Sequence, residues 1–248
     1  MTTEHFYHTT ADQHRIGIHH WPADLPHVNG VIVWLHGMAE HGARYQPLAE
    51  VLNAAGWHLY CPDHRGHGSS ISDAIPQGHF GDDGGWDNVI DDAGEVLALV
   101  KERHPGLPLV LGGHSMGSFV ALGTAEQANQ PLSGLVLCGS DYHAGLYYSL
   151  MSLPLRMERY RHGKRGTSTL IRQLTFGSWA KQVENASTEF DWLSCDPRAV
   201  KAYIDDPLCG FDCTTETWLQ LIKGLKEIHG TNGLASLPET LPVLLLGG

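Results

Sequence analysis

Gly113, His114, Ser115, Met116 and Gly117 carry the residue types and spacing from which nucleophilic chemistry is built. The pattern is Gly-x-Ser-x-Gly. A sharp turn from strand to helix forces the serine into a strained conformation, and the flanking glycines remove side chains that would clash there. The Oγ of Ser115 then stands free above a sheet, placed for acyl transfer. The backbone N–H of Met116, in the first turn of the following helix, is set to bind the negative oxygen of a tetrahedral intermediate. The positive end of that helix adds to it. A second amide must come from the loop after the first parallel strand. That loop is His36-Gly-Met-Ala-Glu-His-Gly42. It offers the N–H of Met38 or, less directly, of Ala39.

The elements that must position these groups are legible around them. Leu107–Gly112 is a short apolar run opened by proline, which reads as a buried parallel strand. Phe119, Val120, Leu122 and Ala125 follow at near-helical spacing, and Leu135–Cys138 reads as the next strand. Upstream, Phe6–Thr9 and Arg15–Trp21 read as an antiparallel hairpin around a polar turn. Val31–Leu35 and Trp57–Cys61 read as buried strands, with a helix from about 45 to 55 between them. Trp86, Val89, Ile90, Ala93, Val96, Leu97 and Val100 keep the spacing of an amphipathic helix ending near His104-Pro105-Gly106. From 31 to 139 the order is βαβαβαβ, which requires a mostly parallel sheet flanked by helices.

After Ser140 this alternation breaks. Residues 141 to about 230 read as helices and loops: an apolar stretch 146–160 ending in the basic run Arg159–Arg165, polar helix candidates at 181–186 and 196–204, and an amphipathic helix through Trp218, Leu221, Ile222 and Leu225. Leu241–Gly248 then returns to the sheet. The expected division is a core at 1–140, an α-helical cap insertion at 141–230 and a return to the core at 231–248. A cap of this kind covers an active site.

Composition narrows the function. The formal net charge of −11 repels nucleic-acid phosphates and offers no general attraction to anionic membranes. Seventeen histidines make that charge strongly pH-dependent between pH 7 and 6. Five cysteines at scattered positions suggest free thiols in a reducing cytosol rather than a disulfide framework. The polar stretch 1–15 has no apolar core of a secretory signal, so the expected location is cytoplasmic. No run of 18 apolar residues spans a membrane.

Three motifs occur in a fixed order: His36-Gly-Met-Ala-Glu-His-Gly-Ala-Arg-Tyr45, Asp63-His-Arg-Gly-His-Gly-Ser69 and Gly113-His-Ser-Met-Gly117. Together they resemble the monoglyceride lipase and lysophospholipase family of α/β-hydrolases, which is grouped with serine aminopeptidase-like hydrolases. Asp206-Pro-Leu-Cys-Gly-Phe211 is similar to a segment of its bacterial members. The resemblance implies an α/β-hydrolase fold and the backbone amides of Met38 and Met116 as the oxyanion hole. It makes Glu40, His41 and Arg44 shapers of the loop, alongside His36, Gly37, Gly113, His114 and Gly117 around the serine. It implies no metal and no cofactor. Ala39 and Ser118 stand where the family often has glycine. The family's catalytic aspartate falls about three residues beyond Gly248 and its histidine some tens of residues later. The sheet's last strand and final helix follow there too. The expectation is that residues 1–248 alone are inactive.

Upstream histidines are weak substitutes. His114 adjoins Ser115 but is expected to point elsewhere. His36, His41, His64 and His67 are expected to be satisfied by backbone or solvent. Asp63 is expected to tie its loop to Arg65, and the basic run 159–165 to be a solvated cap loop.

The function expected is hydrolysis of carboxylic esters of monoacyl lipids through an acyl-enzyme on Ser115. The acyl chain would lie against Leu146, Tyr147, Tyr148, Leu150, Met151 and Leu153, with transient contact of the cap with a membrane surface. Two alternatives stay open. One is an aminopeptidase or amidase with an amine anchor at Glu158, Glu184, Glu189 or Asp191. The other is a non-catalytic binding protein.

Overall fold

The computed structural model describes residues 3–128, 131–143 and 145–247, without the side chains of 231 and 232. Seven strands form one sheet in the order β1-β2-β4-β3-β5-β6-β7. They are β1 (Glu4–Thr9), β2 (Arg15–Trp21), β3 (Gly30–Leu35), β4 (Trp57–Pro62), β5 (Leu109–His114), β6 (Gly134–Cys138) and β7 (Val243–Leu246). β1 pairs antiparallel with β2, and β2 antiparallel with β4; every pairing from β4 to β7 is parallel. The hairpin and the βαβ succession are as the residue pattern predicts. Gly248 lies outside the described residues.

The inner parallel strands β3 to β6 are mostly apolar runs because both faces are covered, whereas β7 at the sheet's edge is apolar but exposed. Along β3, Val31, Val33 and Leu35 face the larger core, while Ile32 and Trp34 face a smaller one. The smaller core is closed by α1 (Gln46–Ala54) through Ala49, Leu48 and Leu52. The larger is closed by α2 (Gly85–Arg103), α3 (Met116–Gln127) and α8 (Thr215–Ile228). All seven apolar positions that define the predicted α2 stripe are buried. Gly224 lets α8 close on α2: a Cβ there would lie 2.1 Å from the Trp86 ring.

Between β6 and β7 run α4 (Gly145–His162), α5 (Thr169–Leu174), α6 (Phe176–Ala180), α7 (Pro197–Asp205), α8 and α9 (Thr231–Leu234). Local caps set three of these starts. Ser168 accepts from the Ile171 N–H, Asp196 from Arg198 and Thr214 from Thr217. The helix expected at 181–186 is absent; the chain turns there, with Asn185 at φ 56°. α5, α6 and α9 are too short to show a helical period and were not foreseen. The basic run is not a free loop. Arg159 pairs with Glu216, and Lys164 and Arg165 pair with Asp83 and Asp82, tying α4 to α8 and to the loop before α2.

Candidate active site

Ser115 sits between β5 and α3 at φ 52°, ψ −121°, a conformation costly for any residue with a Cβ. Neighbours over-determine it. Its N–H bonds to the Cys138 carbonyl at 2.8 Å, and its own carbonyl accepts from the Ser118 N–H at 2.8 Å and the Ser118 hydroxyl at 2.6 Å. Ser118 therefore ties the turn down where glycine would leave that bond unmade. The two glycines are steric necessities. A Cβ at Gly113 would meet the Gly117 carbonyl oxygen at 2.2 Å, and one at Gly117 the Leu35 carbonyl oxygen at 2.1 Å. Met116 is the first residue of α3, so its N–H has no carbonyl a turn behind it to bond.

The loop after β3 faces this turn. Glu40 organises it. Its carboxylate accepts from the Gly37 N–H at 2.7 Å and the Tyr45 hydroxyl at 2.9 Å, and pairs with Arg44. Burial alone would raise the Glu40 pKa. The neighbouring His114 ring and Arg44 guanidinium outweigh burial and hold it at about 2. Ala39 is fully buried at φ 55°. Its carbonyl accepts from the Gly210 N–H and the Tyr203 hydroxyl, both at 2.9 Å. The Met38 N–H makes no hydrogen bond among the described residues.

The histidines behind the loop are structural in their contacts. His36 donates from Nδ1 to the Gly37 carbonyl and accepts at Nε2 from the His64 N–H. His64 donates back to the His36 carbonyl, and His67 to the Arg65 carbonyl. Burial pushes His64 well below the ordinary histidine range and His67 to about 3, so both are neutral. His41 bonds Asp206 at 2.8 Å. The expected Asp63–Arg65 tie is not formed. Asp63 takes the N–H groups of Gly42 and Ser69, while Arg65 forms a buried bidentate pair with Asp92. Asp92 lies 27 positions on in α2, which no local spacing indicates.

Ser115 opens into a cavity of about 300 Å³. Gly37, Met38, Glu40, Arg44 and His114 line its base, and Phe176, Trp179, Trp192, Leu193 and Tyr203 form its walls. Two expectations are corrected here. His114 shares the cavity with Ser115, its Nδ1 being 3.6 Å from Glu40 Oε1, because β5 runs on to residue 114 and carries that side chain to the rim. None of the six apolar residues expected from 146–153 lines the cavity. Leu146, Leu150 and Leu153 are exposed, and Tyr148 is buried with its hydroxyl on His229. The wall comes instead from the 176–203 segment, whose aromatic residues lack a periodic pattern. Glu158, Glu184, Glu189 and Asp191, the proposed amine anchors, are also away from it. Glu158 bonds Ser168 and Arg161, and Glu189 pairs with Arg172.

A family model described as serine aminopeptidase, S33, matches residues 26–248. The chain belongs to this family. It is an α/β-hydrolase of the monoglyceride lipase and lysophospholipase group. It is 29% identical over 179 residues to the monoacylglycerol lipase of Mycolicibacterium smegmatis, covering 72% of this chain and 56% of that protein. It is 30% identical over 128 residues to the human monoglyceride lipase, covering 51% and 40%. Phospholipase YtpA of Bacillus subtilis is 35% identical over 119 residues, covering 47% and 42%. The chain thus spans about half the length of these relatives or less. A thermostable carboxyl esterase from Bacillus coagulans, solved in complex with glycerol, superposes with a TM-score of 0.84 at 26% identity, covering 98% of this chain and 78% of that one. No helix of this hydrolase among the described residues is long and apolar enough to cross a membrane.

Proposed function

We propose that the protein hydrolyses carboxylic esters of monoacyl lipids through an acyl-enzyme on Ser115. The observation that carries this reading is Ser115 at a strained strand–helix turn, opening into a cavity with aromatic residues in its lining that Met38 shares. Segment 141–230 acts as a cap, with Phe176, Trp179 and Trp192 along the acyl chain. The Oγ of Ser115 attacks the ester carbonyl carbon. The oxygen of that carbonyl takes the negative charge and accepts from the amides of Met38 and Met116. The alcohol leaves with the proton first taken from Ser115, and water then frees the acid by the reverse sequence. Turnover needs a histidine base and a carboxylate that orients it, so the activity proposed is that of the whole protein carrying them. His114 only lines the cavity and takes no proton. The reaction as proposed calls for no metal or cofactor, and a cytoplasmic location is part of the proposal.

The ester is favoured over the amide because, among the described residues, the one carboxylate lining the cavity, Glu40, is engaged by Gly37, Arg44 and Tyr45. It is not free to anchor a substrate amine. The test compares a monoacylglycerol and p-nitrophenyl esters with aminoacyl anilides, for the protein and for Ser115→Ala, alongside fluorophosphonate labelling. Ester turnover and a single adduct, both lost in Ser115→Ala, support the reading. Activity that survives Ser115→Ala sinks it. Preferential anilide cleavage reassigns the substrate.

A further inference from the structure

On the far side of the sheet's antiparallel edge, three histidines from distant parts of the chain converge. His20 lies in β2, His58 in β4, and His104 is the residue that ends α2. Each offers one ligand atom, and these atoms lie within 4.8 Å of one another. The ring centroids are 4.4 Å apart for His58–His104, 5.5 Å for His20–His58 and 6.1 Å for His20–His104. We propose that His20, His58 and His104 form a binding site for a divalent transition-metal ion of the Zn²⁺ class.

The hydrogen bonds around the rings prepare two of them as ligands. Glu4 Oε2 lies 2.9 Å from His20 Nδ1, so that nitrogen donates and Nε2 keeps its lone pair. The Ala23 N–H donates to His58 Nδ1 at 3.2 Å, so that nitrogen also carries no proton. The two lone-pair nitrogens stand 3.4 Å apart with no donor between them. Tetrahedral zinc, with Zn–N of about 2.0–2.1 Å, holds its nitrogens about 3.3 Å apart. An ion between them turns a repulsive contact into ligation, at the cost of the Ala23 bond. His104 completes the set, its orientation held by Tyr60, whose hydroxyl is 2.8 Å from Nε2. Glu4 then stands as the outer carboxylate on a ligating imidazole, the arrangement that fixes tautomer and raises ligand basicity.

The site is half-enclosed. His20 is buried against Tyr60, stacked at 4.0 Å, while His58 and His104 are partly open to solvent and leave an entry path. Burial lowers all three rings below the ordinary histidine range, so they are neutral and available at pH 7. Of the charged groups that face them, Glu4 favours a cation and Arg103 opposes it. The donor set, three imidazoles without thiolate, suits Zn²⁺, Cu²⁺ or Ni²⁺ rather than Mg²⁺ or Ca²⁺. Two other groupings are poorer. Asp63, beside His5 and His19, already accepts from Gly42 and Ser69. Cys209, beside His41 and Asp206, has its thiol pushed up to about 12 by burial. The consequence of binding is mechanical. The ion cross-links β2, β4 and the end of α2, and so stabilises the folded state by mass action.

The test is titration of the untagged protein with Zn²⁺ against a chelating indicator. One tight equivalent is expected, with a rise in Tm. His58→Gln and His104→Gln should each weaken it by more than about 100-fold, and Glu4→Gln by about 10- to 100-fold as an outer partner. His41→Gln, in a different cluster, should leave it unchanged. Should a variant fold poorly, the wild type answers alone: one equivalent of Cu²⁺ should broaden the amide signals around residues 20–23, 58–60 and 103–105 first. No tight equivalent, binding untouched by both glutamine variants, or broadening elsewhere first overturns the proposal.

Discussion

The phenol of Tyr203 donates a hydrogen bond to the carbonyl of Ala39 at 2.9 Å, joining α7 to the loop that faces Ser115. Ala39 holds a positive φ and is fully buried, so this carbonyl sits at the most constrained point of the loop. Tyr203→Phe removes the bond, but the Gly210 N–H remains on the same oxygen. The expected cost is about 0.5–1.5 kcal/mol, read from the urea midpoint. Fluorophosphonate labelling of Ser115 should slow as well, because the Met38 amide is one residue away. Unchanged labelling would separate α7 from the site.

Glu40 predicts an acid limit. Its folded pKa of about 2 lies below the ordinary value of 4.5. Its stabilisation is therefore complete above about pH 4.5 and lost as the pH falls toward 2, amounting to about 3 kcal/mol at most. Asp63, also held below its ordinary value, adds in the same direction. Melting temperature should fall steeply below about pH 4.5. Glu40→Gln should lower stability at pH 7 and flatten that fall. A Glu40→Gln profile parallel to the wild type would show the carboxylate to be uncoupled.

Two glycines should respond in opposite ways. Gly117→Ala puts a Cβ 2.1 Å from the Leu35 backbone oxygen and should cost about 3 kcal/mol or more, read as lost soluble yield or a lowered Tm. Gly94, inside α2, has nothing within 4 Å of its Cβ position. Gly94→Ala should stabilise by about 0.5–1 kcal/mol, because alanine loses less backbone freedom on folding. A neutral Gly117→Ala would contradict the steric account of the turn.

Arg65 is buried and bidentate to Asp92, with Nε and Nη2 at 2.7 and 2.6 Å from the two oxygens. Arg65→Met leaves Asp92 buried without its partner and should cost about 3–5 kcal/mol in denaturant unfolding. Arg65→Lys should recover only part of it, since an ammonium cannot span both oxygens. Full recovery by lysine would reduce the pair to simple charge neutralisation.

The sequence by itself determined the elements whose signals are local. Strands β3 to β6 are short, mostly apolar runs, and β1 and β2 flank a polar turn. α2 shows its seven-residue stripe, and the Gly113–Gly117 pattern marks the turn that only a glycine on each side of Ser115 can make. These depend on neighbours a few residues apart, so spacing reveals them. The His36–Gly42 loop was legible as a polar, glycine-containing connection, and the resemblance made Glu40, His41 and Arg44 its shapers; that Glu40 binds Gly37, Arg44 and Tyr45 is seen in the structure. Only the tertiary structure decided what depends on distant pairs. The cavity wall came from Phe176, Trp179 and Trp192 rather than from 146–153, because α6 and the 192–194 turn reach the cavity at Ser115 while α4 leaves Leu146, Leu150 and Leu153 exposed. Arg65 chose Asp92 over Asp63 because Asp63 was already filled by backbone donors. His20, His58 and His104 have no spacing in common. Sheet pairing of β2 with β4, and the end of α2 beside them, brings their rings together, and that register is set by packing across the whole domain.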